Sequence, residues 1–162
     1  MARGLLRYGV IHGFENSWGH PDLSAKGAWV GLTIGTRRSD LLKAVLDGLT
    51  FKLRENLEFL QGLGVRVNEF RAVGGRAKSR AWVACKSDVL QVPVARPAVT
   101  VSTCLGAGIL SASAVGLISD LSSAVEHMVT IEEVVNPDKA RSEAYLRRLA
   151  LYRQVQGYVR RV

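Results

Sequence analysis

Two glycine-rich stretches hold the residues best suited to chemistry. The first is Val73-Gly74-Gly75-Arg76-Ala77-Lys78-Ser79, set between a short β-rich run, Glu69 to Val73, and the start of a helical pattern. Glycines in such a strand-to-helix turn let backbone N–H groups approach phosphate oxygens without interference from Cβ, and the helix N-terminus adds a partial positive charge. The turn is therefore a candidate anion or nucleotide site. It lacks the GxxxxGK[ST] spacing of a P-loop, and a glycine pair in a βα turn also serves simple turn chemistry. The second stretch places Gly31, Thr33 and Gly35 at the end of another strand-like run, where a hydroxyl is available to phosphate. Ligands in open α/β sheets gather at the carboxyl ends of strands, so both loops are expected on one side of a sheet. A close strand-to-helix crossing would use the same residues.

Other chemistries find less support. The two cysteines, Cys85 and Cys104, sit in apolar helix-like segments with no further ligand at metal spacing, and both are expected as reduced core residues. His12, His20 and His127 are scattered, so structural or surface roles are expected and no metal site. Lys and Arg number 22 against 14 Asp and Glu, a formal charge of +8 that raises the possibility of a nucleic-acid partner. The excess is spread out, however, and its densest part (Arg141, Arg147, Arg148, Arg153, Arg160 and Arg161) lies on a helix whose other face is apolar. A solvated helix face and an anionic ligand such as ATP account for the charge, and no nucleic acid is expected.

The elements that must position the loops follow from periodicity. With 162 residues, 48% hydrophobic and 22% charged, the chain has the make-up of one globular domain. No stretch approaches the roughly 20 apolar residues that cross a bilayer, and no apolar leader core is seen near Met1, so a cytoplasmic location away from membranes is expected. Residues 1–26 show no sustained period and are predicted to be an irregular segment with at most a short strand; residues 27–162 are the predicted domain. Ala28 to Thr33 is a β-rich run. From Ser39, a candidate N-cap, Leu42, Leu46, Leu49, Leu53, Leu57 and Leu60 recur at helical spacing until Gly62 and Gly64, as in a helix packed on a sheet. Glu69 to Val73 is a second strand. It is followed by a helix with Trp82, Cys85 and Val89 on one face, and Val92 to Ala95 is a third strand. Thr103 to Val115 is a helix of small residues, Gly106 among them, expected buried in close backbone contact. Helices over Leu121 to Met128 and Lys139 to Tyr158 complete an α/β pattern with parallel strands.

Four segments in order then carry a resemblance. Gly27-Ala28-Trp29-Val30-Gly31-Leu32, seven further residues, and Asp40-Leu41-Leu42-Lys43-Ala44-Val45-Leu46-Asp47 look like the C-terminal signature of the FGGY carbohydrate kinases. VGGRAKSRAW, from Val73 to Trp82, resembles that family's VGGGAKSPLW nucleotide loop. KSDVLQVPVARP and TCLGAGILSA resemble its following strand and small-residue helix. The similarity runs from about Pro21 to Tyr158 and is nearest to the xylulokinase-like branch.

The resemblance implies transfer of phosphate from ATP, with Mg²⁺ bound to the nucleotide, to a sugar hydroxyl, a xylulose-like pentulose being the acceptor. It implies an actin- and hexokinase-type, ribonuclease-H-like domain, present in part, with a short sheet and several packed helices. Carried over by position, Gly74, Gly75, Ala77, Lys78 and Ser79 line the adenosine, Thr33 and Gly35 face the phosphates, and Gly106 lets its helix pack near the nucleotide loop. Two positions depart from the pattern. Arg76 replaces the loop's third glycine, where it either occludes the base or reaches a phosphate, and Val101 stands where the family has a glutamate. The family's catalytic aspartate and sugar-binding residues lie upstream of the matched region; Asp22, Asp40 and Asp47 do not match that aspartate, and no catalytic residue is assigned. The chain alone is thus expected to be inactive and to need a missing N-terminal kinase domain or self-association. A non-catalytic nucleotide-binding or regulatory module derived from a kinase is the alternative. In a sheet of order 3-2-1-4-5, Ala28 to Thr33, Glu69 to Val73 and Val92 to Ala95 would be strands three, four and five, with strands one and two absent and apolar edges left bare.

Overall fold

Short segments punctuated by glycine and proline become seven strands of two to five residues, and longer periodic ones five α-helices, among the described residues. The computed structural model describes residues 8–10, 15–17, 20–22, 27–99 and 101–159. His12, Gly13, Gly19, Arg160 and Arg161 lie outside them. In chain order the elements are β1 (Tyr8–Val10), β2 (Glu15–Ser17), β3 (His20–Asp22), β4 (Ala28–Val30), α1 (Arg38–Gly62), β5 (Phe70–Arg71), a 3-10 turn (Gly75–Lys78), α2 (Arg80–Leu90), β6 (Val94–Pro97), α3 (Ser102–Ala114), α4 (Leu121–Met128), β7 (Ile131–Val135) and α5 (Lys139–Val159). They form two units, one of Met1–Val65 with Lys139–Val162 and one of Arg66–Asp138. No helix of the described residues is long and apolar enough to cross a membrane.

In the first unit β4 pairs antiparallel with β1, Tyr8 opposite Val30, and β2 forms a hairpin ladder with β3. This corrects two expectations. The segment before Gly27 holds three short strands rather than at most one, and the strand from Ala28 has a partner within the chain. Three-residue strands are too short to show an alternating period, which is why the sequence conceals them. The strand also stops early, because Gly31 turns the backbone to φ 81°.

Helix α1 starts after Arg37, whose N–H donates to Asp40 Oδ2 at 2.8 Å, so Ser39 lies inside the helix and not at its cap. It ends in a Schellman arrangement: Gly64 N–H donates to Gln61 O at 2.9 Å and Val65 N–H to Leu60 O at 3.1 Å, with Gly64 at φ 84°. Its buried face is Ala44, Asp47, Gly48, Phe51 and Leu57, with Thr50 beside it; the leucine stripe does not define it, since Leu42 is 61% exposed and Leu49 is also exposed. The reason is Asp47. Its buried carboxylate accepts hydrogen bonds from Lys43 Nζ at 2.8 and 2.9 Å and pairs with Arg148 on α5 at 2.6 Å, so a charged residue occupies the seam that leucine counting assigns to apolar groups. Phe51 packs on the rings of Tyr145 and Tyr152 in the same seam, at centroid distances of 6.2 and 5.3 Å. Arg153 pairs with Glu55 and Glu58, so part of the basic face of α5 is neutralised by α1.

In the second unit β5 runs parallel to β6, and β7 closes the sheet antiparallel to β6, in the order β5-β6-β7. Strand β7 is an addition to the predicted elements. Ile131-Glu132-Glu133-Val134-Val135 looks polar in sequence, but Glu133 pairs with Arg80 at 2.7 Å and with Arg96 at 3.3 Å, while Glu132 also reaches Arg96 at 3.3 Å. Ser87, fully buried, holds α2 to the sheet through its hydroxyl, 2.8 Å from Val135 O and 3.1 Å from Val92 O. The core of this unit is Ala72, Ala77, Val83 and Val94, flanked by Phe70 and Val135. The buried face of α2 accordingly carries Val83, Ser87 and Leu90, together with Val89; Trp82 and Cys85 are only half-buried. Helix α3 departs furthest from expectation. It packs against α4, but Ile109 is its one buried residue, Leu110 is 62% exposed, and Cys104 is exposed rather than part of a core.

Candidate functional site

Three local devices shape the turn from Gly74 to Ser79. Gly74 has φ 77° and ψ −175°, a conformation essentially restricted to glycine, and it carries the chain off the end of β5. The next four residues wind one 3-10 turn, with Ala77 N–H donating to Gly74 O at 3.0 Å. The Ala77 methyl is completely buried in the core of the second unit and anchors the turn from below. Ser79 then caps α2, its Oγ accepting the Trp82 N–H at 3.4 Å. Gly75, Arg76, Lys78 and Ser79 remain exposed.

Arg76 carries no backbone strain. Gln91 is the one non-glycine described residue with positive φ, so the arginine in place of the loop's third glycine sits in an ordinary conformation. Its guanidinium carbon lies 5.7 Å from the centroid of the Trp82 ring, and Lys86 Nζ lies 4.5 Å from the same centroid. Burial, and then the charge of Arg76, push the Lys86 pKa below the usual lysine range, with Cys85 acting weakly in the other direction. Among the described residues no carboxylate pairs with Arg76 or Lys86. The sequence reading missed Trp82 and Lys86 as members of this group. Their four-residue spacing just inside a helix that follows a basic turn is the signal that could have found them.

The sheet adds a second feature. β5 and β6 are parallel, and each leads from its carboxyl end into a helix, α2 after the glycine turn and α3 after residues 98–101. Both helix N-termini therefore open at the same end of the sheet, where orphan N–H groups and helix dipoles favour an anion. Gly106 stands in the second turn of α3, half-buried; a Cβ built there meets no atom within 4 Å outside its own stretch of helix, so close packing does not explain this glycine. Val101, at the N-cap position of α3, offers no side-chain acceptor.

Thr33 and Gly35 belong to the first unit. There Thr33 N–H donates to Thr36 Oγ1 at 2.8 Å and Thr36 N–H donates to Thr33 O at 2.9 Å, a turn closed on itself with the Thr33 side chain exposed. The carboxylates nearby are engaged in structure: Asp40 caps α1 and Asp47 is held by Lys43 and Arg148.

Comparison with known proteins identifies the family and the fold. A family model described as the C-terminal domain of the FGGY family of carbohydrate kinases matches residues 3–115. A xylulose kinase of Staphylococcus epidermidis is 27% identical over 154 residues, covering 95% of this chain and 31% of the relative. A glycerol kinase of Halorhodospira halophila is 36% identical over 141 residues, covering 86% of this chain and 27% of the relative. Among solved structures, a ligand-bound xylulose kinase of Lactobacillus acidophilus superposes with a TM-score of 0.73 at 25% identity, over 85% of this chain and 28% of that one. The chain thus spans less than a third of the length of these relatives. Its α/β architecture is that of the actin- and hexokinase-like domain anticipated from the sequence. By motif, fold and family model together, the chain belongs to the FGGY family of carbohydrate kinases and carries the family's C-terminal domain.

Proposed function

We propose that this chain binds the adenine nucleotide for an ATP-dependent sugar kinase. One observation carries the proposal: a glycine-built turn leads from the carboxyl end of a parallel strand into the N-terminus of α2, and the neighbouring parallel strand leads at the same end toward α3. Gly74 to Ser79 receive the nucleotide, and Gly106 lies on the second of these helices. Mg²⁺ would enter with the nucleotide and would offset the charge on its phosphates. Sugar phosphorylation also needs a proton acceptor in line with the attacking hydroxyl, and Asp40 and Asp47 are committed to helix capping and an ion cluster. The sugar side of the reaction is therefore proposed to come from a partner domain of the same family type, acting on a xylulose-like pentulose in the cytoplasm.

Calorimetric titration with Mg·ADP tests the binding step. The expected result is saturable binding with a dissociation constant of roughly 1 mM, and no heat with xylulose or glycerol. Absence of nucleotide binding, or tight binding of a sugar by this chain alone, would contradict the proposal.

A further inference from the structure

Two cations lie against one indole beside the proposed nucleotide turn. Arg76 and Lys86 approach the Trp82 ring to 5.7 and 4.5 Å, and among the described residues neither has a carboxylate partner. The nearest basic neighbour on the helix, Arg80, is already taken by Glu133 at 2.7 Å. Like charges held close without a counterion repel, and burial of the Lys86 stem raises the cost of its charge. A cation on an exposed ring face is weakly held compared with one hydrogen-bonded to a phosphate. An anion bound within reach of both groups offsets the repulsion, whereas a neutral base or ribose gains nothing from their charge.

We infer that Arg76 and Lys86 form a paired clamp for the phosphate of the nucleotide held at the Gly74–Ser79 turn, with the Trp82 ring as the resting place of both side chains. The inference rests on the nucleotide reading and deepens it. The substitution of arginine for the loop's third glycine then adds to phosphate recognition instead of blocking the base. Arg76 has the reach and the planar donor fork for this role, and Lys86 supplies a point charge from the helix.

The test titrates Mg·ADP and adenosine into the wild-type chain and into R76G, R76K and K86M, with thermal melts to confirm that each variant is folded. R76G and K86M are expected to weaken ADP about tenfold and to leave adenosine unchanged, with R76K falling in between. Equal or tighter ADP binding by R76G would overturn the inference while leaving the nucleotide reading intact. So would equal loss of ADP and adenosine, which marks a structural role. Failure of ADP to bind the wild-type chain at all would overturn both.

Discussion

Helices α2 and α3 leave neighbouring parallel strands at the same end of one sheet, yet they solve different problems. α2 is finished within its unit. It has a serine cap, a glycine at the one position of its preceding turn that requires positive φ, a buried valine face and a buried hydroxyl bound to the sheet. Asp88, also buried on α2, accepts the Asp138 N–H at 2.8 Å and so fixes the chain where β7 gives way to α5. α3 has none of these devices. It is apolar on nearly all sides, lacks a side-chain cap and leaves Leu110 exposed, along with Val101 and Val115 at its ends. Helices of that composition are normally covered. The contrast fits the proposal that a further domain completes the enzyme: one helix follows the proposed nucleotide turn, and the other leaves apolar residues uncovered within its own unit.

The same charge placed on each helix should separate them most sharply. Val83→Asp buries an unpaired carboxylate at a position with no exposure and is expected to cost more than about 4 kcal/mol, unfolding the second unit. Leu110→Asp should change the stability of the isolated chain by less than about 0.5 kcal/mol, because the side chain is already in water. Chemical denaturation of both variants measures the gap; comparable losses would show that α3 is as buried as α2.

Glycine substitutions give a smaller contrast of opposite sign. Gly74→Ala forces a Cβ into a conformation essentially restricted to glycine and should destabilise by about 1–3 kcal/mol. Gly106→Ala meets no neighbour and removes a flexible residue from a helix interior, so it should stabilise by roughly 0.5–1 kcal/mol. A loss at Gly106 would reveal a close contact in solution. The mildest probe is thiol labelling. Cys104 on α3 is exposed and Cys85 on α2 half-buried, so an aromatic disulfide reagent should show a fast phase that C104S removes and a phase slower by about tenfold that it spares. A single phase with both thiols equally fast would erase the distinction.

The glycine turn and most helix boundaries were legible in the sequence because glycine, proline and long apolar periods have direct backbone meaning. Leu121–Met128 matches the prediction end for end, and Gly62 ends α1 as expected. What stayed hidden depended on pairing between distant residues. Asp47 looks like a polar interruption until Lys43 and Arg148 neutralise it, and the two glutamates of β7 look like linker until Arg80 and Arg96 meet them. The exposure of α3 was hidden for the opposite reason. Composition shows what a helix is suited to pack against, not whether the partner belongs to the same unit.

The most direct test of the account follows backbone amide resonances of the full chain during a titration with Mg·ADP. The account predicts saturable shifts centred on Gly74 to Ser79 and the first turn of α3 at Ser102 and Thr103, with Arg76 and Lys86 moving in step. Shifts that map to other elements, or none up to roughly 10 mM nucleotide, an affinity too weak to count as a site, would contradict it.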